Sequence, residues 1–154
     1  MRRKDKEITD KNIIREIMSH SAICRIGITN GEIPYIVPLN YGYSGNALYF
    51  HSAPAGKKIE LLKINNRVCF EIEYSHEIIR HELACNWTSK YRSVIGYGTI
   101  EIITDPEKKK RGLDIIMAHY GRSDKLIYNE ASIERMVILK LKIDEISGKQ
   151  SGDW

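Results

Sequence analysis

Six stretches of this chain combine β-favouring residues with turn residues at their ends, and this punctuation predicts a mainly antiparallel sheet. The clearest is MVILKLKIDEI, residues 136–146, where apolar and polar side chains alternate as they do in a strand with one buried face. AICRIGIT, residues 22–29, alternates in part, and Asn30-Gly31 then favours a tight hairpin turn. Residues 33–43 return as one antiparallel strand. Pro34 and Pro38 within it cannot donate ladder hydrogen bonds, so this strand is expected at an edge, at a bulge, or open toward a ligand. Ser44-Gly45-Asn46 makes the next turn, followed by strands at 47–51 and 68–73. In the long strand YRSVIGYGTIEIIT, residues 91–104, Gly96 and Gly98 allow a bend or a close backbone approach. Residues 74–90 show no clear period. The 25 isoleucines support the strand reading, because β-branched side chains pack well on a pleated surface.

Helices fall between these strands. Asp10 can cap one that buries Ile13, Ile14, Ile17 and Met18, and another starts at Lys57 with Ile59 and Leu62 inward. Asp105-Pro106-Glu107 is a strong start for a third, with Leu113, Ile116, Met117 and Tyr120 as its apolar stripe and Gly121 as its stop. The expectation is an α+β, mainly β fold of about six strands, a barrel or strongly curled sheet, forming a single domain over residues 1–154. A charge of +4 suits a site for a small anion as well as a nucleic-acid groove, so the sign alone selects no partner; acidic residues interspersed with the terminal lysines favour a solvated surface and no nucleic acid. Three cysteines, Cys24, Cys69 and Cys85, without C-x-x-C spacing point to a reducing cytoplasm, and no apolar run approaches a membrane span.

The most informative chemistry lies at Ser52-Ala53-Pro54-Ala55-Gly56, a small-residue loop that enters a helix at Lys57 and Lys58. Backbone amides at a helix start, two ammonium groups and the Ser52 hydroxyl together suit a phosphate. A surface helix with two solvated lysines fits the same spacing equally well. His51 sits just before this loop. His76, His81 and Cys85 match no common zinc spacing, so no metal is expected. Tyr41, Tyr43, Trp87, Tyr91 and Tyr97 suit either packing or a planar ligand, and Arg92 suits an anion or an interfacial carboxylate. No nucleophile elbow, Walker loop or Rossmann glycine pattern is present.

VPLNYGY (37–43), LYFHSAPAGKKIELL (48–62), NRVCFE (66–71), CNWTSKYRSVIGYG (85–98) and the opening MRRKDKEIT together resemble the Nim-type nitroimidazole-reductase branch of the pyridoxamine 5′-phosphate oxidase-related flavoproteins. The resemblance implies an FMN-binding split β-barrel and a homodimer with two flavin sites at the subunit interface. By it, Val37, Pro38, Leu39, Asn40 and Tyr41 lie along the isoalloxazine ring. His51 and Ser52 follow the ribityl chain, and Lys57 and Lys58 grip the phosphate. Trp87, Tyr91, Arg92 and Ser93 reach the flavin or the neighbouring subunit, and His51 is also the catalytic candidate beside the substrate. The implied reaction is reduction of FMN by NAD(P)H or another donor, followed by transfer to a small nitroaromatic substrate. A flavin-binding stress or sensor module with little turnover is the alternative. A pyridoxamine phosphate oxidase-like activity is a further one, against which the tail SGKQSGDW counts because it lacks the basic substrate motif of that enzyme.

Overall fold

A computed structural model describes residues 3–31, 33–122, 124 and 126–154, so Met1 and Arg2 of the basic opening lie outside the described residues. In chain order the elements are β1 (Glu7–Ile8), α1 (Lys11–His20), β2 (Cys24–Ile28), β3 (Tyr35–Leu39), β4 (Gly42–Ser44), β5 (Ala47–Ser52), α2 (Lys57–Ile64), β6 (Arg67–Ile79), β7 (Thr88–Ile103), α3 (Pro106–His119), α4 (Glu130–Glu134) and β8 (Val137–Ser151). The strands form one antiparallel sheet in the order β3-β2-β6-β7-β8-β5-β4, with β1 added to β8. The fold is therefore mainly β, as expected, with eight strands in place of about six and a sheet that does not close. Among the described residues, no helix is long and apolar enough to cross a membrane.

Alternation decides which face is dry. Cys24, Ile26 and Ile28 of β2 point into the same core as Phe50, Phe70, Leu139 and Leu141, while Arg25 between them faces outward. Onto this core α1 lays Ile17 and Met18, and α2 lays Ile59, Leu61 and Leu62. The opposite face of β8 is covered by α3, where Ile116 joins Ile103 and Ile138 in a second cluster. The predicted caps are present: Asp10 accepts from the Asn12 amide at 2.8 Å, and Asp105 from the Lys108 amide at 2.9 Å.

Several local expectations change. The single strand predicted at 33–43 is two strands, because β3 pairs with β2 as far as Leu39 whereas Gly42 already pairs with β5. The first hairpin is not a two-residue turn at Asn30-Gly31. Ile28 lies opposite Tyr35, which leaves a longer loop where Gly31 takes a φ of 102°. Ser44 does pair with Ala47, so Gly45, at a φ of 62°, opens a tight turn. Residues 74–90 are largely strand, extending β6 to Ile79 and β7 back to Thr88 past a bulge at Ser75, whose φ is 58°. This arm lacks a period because residues 75–88 are all exposed, so no buried face imposes one. Gly96 and Gly98 are close approaches as predicted: a Cβ on Gly96 would meet the Phe70 ring and the Glu145 carbonyl, and one on Gly98 the Lys142 carbonyl.

Tyr41 is fully buried, its hydroxyl donates to the Met18 carbonyl at 2.8 Å, and burial pushes its phenol well above the usual range. Met18 is in the last turn of α1, where carbonyls lack helical partners. Tyr41→Phe is expected to cost about 1–2 kcal/mol by orphaning that carbonyl. A urea midpoint equal to wild type at unchanged slope would count against this account.

Candidate functional site

The candidate site is a wedge made by the sheet's two free edges. β3 and β4 stand at opposite ends of the strand order, yet only Asn40 and Tyr41 separate them in sequence. The three peptide steps from Leu39 to Gly42 can span no more than about 11 Å, so the sheet must curl until its edges nearly meet at this crossover. Beyond it the edges part. β5 pairs with β4 only through Ala47, Leu48 and Tyr49, whereas Phe50, His51 and Ser52 keep β8 on one side and, among the described residues, no strand on the other. β3 likewise has β2 on one side alone. Two backbone edges with unused N–H and C=O groups therefore flank one opening.

At its far end the wedge is positively charged. β5 runs through Ala53–Gly56 into α2, whose cap residue Gly56 has a φ of 106° and no side-chain capping bond. The first helical bond runs from the Glu60 amide to the Gly56 carbonyl at 3.1 Å, so the amides of Lys57, Lys58 and Ile59 precede the ladder. The Lys57 ammonium lies 5.0 Å from the ring centroid of Tyr35, the first residue of β3, so the helix start bridges the open end. Lys58 is half-buried and has no hydrogen-bond or ion-pair partner among the described residues. Burial alone draws its ammonium below the ordinary lysine range. A partly desolvated cation left without a counter-ion is suited to receive an anion.

The remaining expected site residues of VPLNYGY (37–43) and LYFHSAPAGKKIELL (48–62) divide by face. Val37 and Leu39 turn toward the core, while Pro38 and Asn40 are exposed on the free edge. The Tyr41 ring is in the core, so of this residue only the backbone is near the wedge. His51 is exposed, and Ser52 is buried with its hydroxyl donating to the Ala53 carbonyl at 3.0 Å.

The segment CNWTSKYRSVIGYG, residues 85–98, lies elsewhere on the same chain. Cys69 is level with Gly27 and Tyr74 with Arg92, and the five steps of β6 between them cover about 16 Å at 3.3 Å per residue. Arg92 is already committed. Its Nε donates to Gln150 Oε1 at 3.2 Å, its Nη1 is 3.6 Å from Glu16 Oε2, and its guanidinium lies 4.4 Å from the centroid of Trp154. The positively charged end of the wedge therefore holds Lys57 and Lys58 without Arg92. Ser93 and Tyr91 are half-buried beside Lys149, and Trp87 is exposed on the arm, its indole donating to the His81 carbonyl at 2.7 Å. His81 itself accepts the Leu83 amide at 3.0 Å, which makes it a turn residue.

Sequence reasoning missed Tyr120, which it placed in the apolar stripe of α3. Its hydroxyl instead meets Asn40 and the Tyr41 amide, a contact 79 residues away in sequence for which no local pattern exists.

Comparison with known proteins adds the following. The family described as pyridoxamine 5′-phosphate oxidase matches residues 10–150. A solved structure from Bacteroides thetaiotaomicron, provisionally named a 5-nitroimidazole antibiotic resistance protein, is 37% identical, covering 93% of this chain and 85% of that one with a TM-score of 0.82. The FAD and heme binding protein from Mycobacterium smegmatis is 19% identical over 97% of this chain and 75% of its own, and its TM-score of 0.85 shows a shared fold. An uncharacterized protein of Rhizobium meliloti is 36% identical over 56 residues, a match spanning 36% of each chain.

Proposed function

The chain belongs to the pyridoxamine 5′-phosphate oxidase family, and from that premise we propose that it binds FMN in the wedge and reduces a small nitroaromatic or related substrate. The observation that carries this reading is Lys58, half-buried without a counter-ion beside the uncapped start of α2. The ribityl phosphate fits there, taking charge-assisted hydrogen bonds from Lys58 and the free amides and a further charge from Lys57. The polar edge of the ring would lie along the bare edge of β3 at Val37–Asn40, where Pro38 can offer a carbonyl acceptor but no N–H. Bound flavin supplies the electron-transfer chemistry. His51, exposed at the end of β5, is placed to hydrogen-bond a substrate over that ring, and Ser52 closes the loop beneath the ribityl chain.

A second copy of the chain completes the site in this reading. The outer sheet face leaves Ile36, Ile95 and Tyr97 exposed around a groove of about 440 Å³ that includes Pro34 and Cys69. A partner on that face excludes water and lets its own Trp87 and Tyr91 approach the wedge, which one chain's geometry does not allow. NAD(P)H is the proposed electron donor, docking transiently because the sequence has no dinucleotide fingerprint.

The visible spectrum of the purified protein tests the cofactor. Flavin bands at one FMN per chain are expected, and a colourless protein that takes up no FMN on titration rules the reading out. Anaerobic mixing with NAD(P)H and a 5-nitroimidazole then tests turnover. Substrate-dependent reoxidation is expected, and its absence leaves a flavin-binding module without reductase activity.

A further inference from the structure

We infer that Tyr120 is a positioning residue that sets the width of the wedge by holding its crossover, an inference that rests on the wedge being the flavin site. Tyr120 follows α3, and its hydroxyl makes three hydrogen bonds. It accepts from Asn40 Nδ2 at 3.2 Å and from the Tyr41 amide at 3.1 Å, and it donates to the Ala22 carbonyl at 2.5 Å. A hydroxyl has one proton and two lone pairs, so this one is saturated. The residue is 41% exposed, so the hydroxyl and not ring burial accounts for its placement.

Its surroundings make the crossover a clamp point. Gly42 lies so close to α3 that a Cβ there would stand 2.6 Å from the Ile115 carbonyl carbon. The His119 ring centroid is 4.4 Å from that of Tyr41, and its Nε2 donates to the Ser21 carbonyl at 2.7 Å. One end of α3 thus grips Asn40, Tyr41 and Gly42 in succession and ties them to the link between α1 and β2. The two free edges diverge from those residues. A small rotation at the crossover therefore moves β3 relative to Phe50–Ser52, and with it the edge on which the ring lies. Tyr120 acts through Asn40 and the Tyr41 backbone.

Three measurements on the full chain test the clamp. In Tyr120→Phe without ligand, hydrogen exchange at the Tyr41 amide is expected to accelerate about tenfold, since a part-buried donor loses its acceptor. FMN affinity should fall about tenfold, with an altered absorption envelope of the bound flavin. Asn40→Ala, which removes the side chain that meets the Tyr120 hydroxyl, should give a similar loss, and the double variant should lose no more than the single variant with the larger loss. Wild-type FMN affinity and spectrum in Tyr120→Phe, or losses that add in the double variant, overturn the inference. If the wild type takes up no FMN, the reading of the wedge fails instead, which is a separate and visible outcome. Should Tyr120→Phe not fold, Asn40→Ala with wild-type affinity overturns the inference by itself.

Discussion

Lys58→Ala weakens FMN binding by about 1–3 kcal/mol, a five- to 150-fold rise in Kd, because a charge-assisted phosphate contact in a partly dry setting is lost. Flavin fluorescence titration at fixed ionic strength measures it. The ligand-free variant keeps its stability, since Lys58 has no partner to lose and its burial disfavours the charged form. Lys57→Ala costs less. That ammonium is exposed and already rests on the Tyr35 ring, where solvent screens it. Raised salt should narrow the difference between wild type and Lys57→Ala more than that between wild type and Lys58→Ala. Equal affinities for wild type and Lys58→Ala would remove the phosphate from the start of α2 and leave the wedge without its anchor.

Gly42→Ala lowers folding stability by about 2–4 kcal/mol. The added methyl would meet the Ile115 carbonyl carbon and oxygen and the Ile116 nitrogen, each at 2.6 Å. All three atoms are helix backbone, so no rotamer change relieves the overlap, and either α3 lifts or β4 moves. Gly45→Ala is the informative comparison. There a Cβ meets nothing within 4 Å and only the φ of 62° opposes it, at a cost of about 1 kcal/mol. Urea midpoints for the two variants separate contact from conformation. A Gly42→Ala midpoint no lower than that of Gly45→Ala would mean that α3 yields freely, and the rigid crossover would lose its support.

Much of the positively charged end of the wedge is legible in the sequence. Small residues entering a helix at Gly56-Lys57-Lys58 form one local segment, and the properties of a helix start depend on sequence neighbours alone. Sequence could not choose between two solvated lysines and a phosphate grip, because burial is not local. The half-buried, unpartnered state of Lys58 and the contact of Lys57 with Tyr35 separate the two lysines. Tyr41 shows the opposite limit. The resemblance puts it along the flavin ring, yet the inward turn at the crossover sends its side chain to Met18 in α1. Arg92 similarly suits an anion or an interfacial carboxylate until Glu16 and Gln150 of its own chain are found beside it.

Strand content, helix caps, turn glycines and the edge position of the Pro38 strand follow from interactions within a few residues, so period, capping and φ preference suffice to read them. The break between Leu39 and Gly42 does not, because it is the place where the chain leaves one edge of the sheet for the other. That exchange creates both bare edges and the wedge between them, and it depends on how far the whole sheet curls. Curl is set by the packing of α1, α2 and α3 on strands distant in sequence, and no single segment contains the information that fixes it.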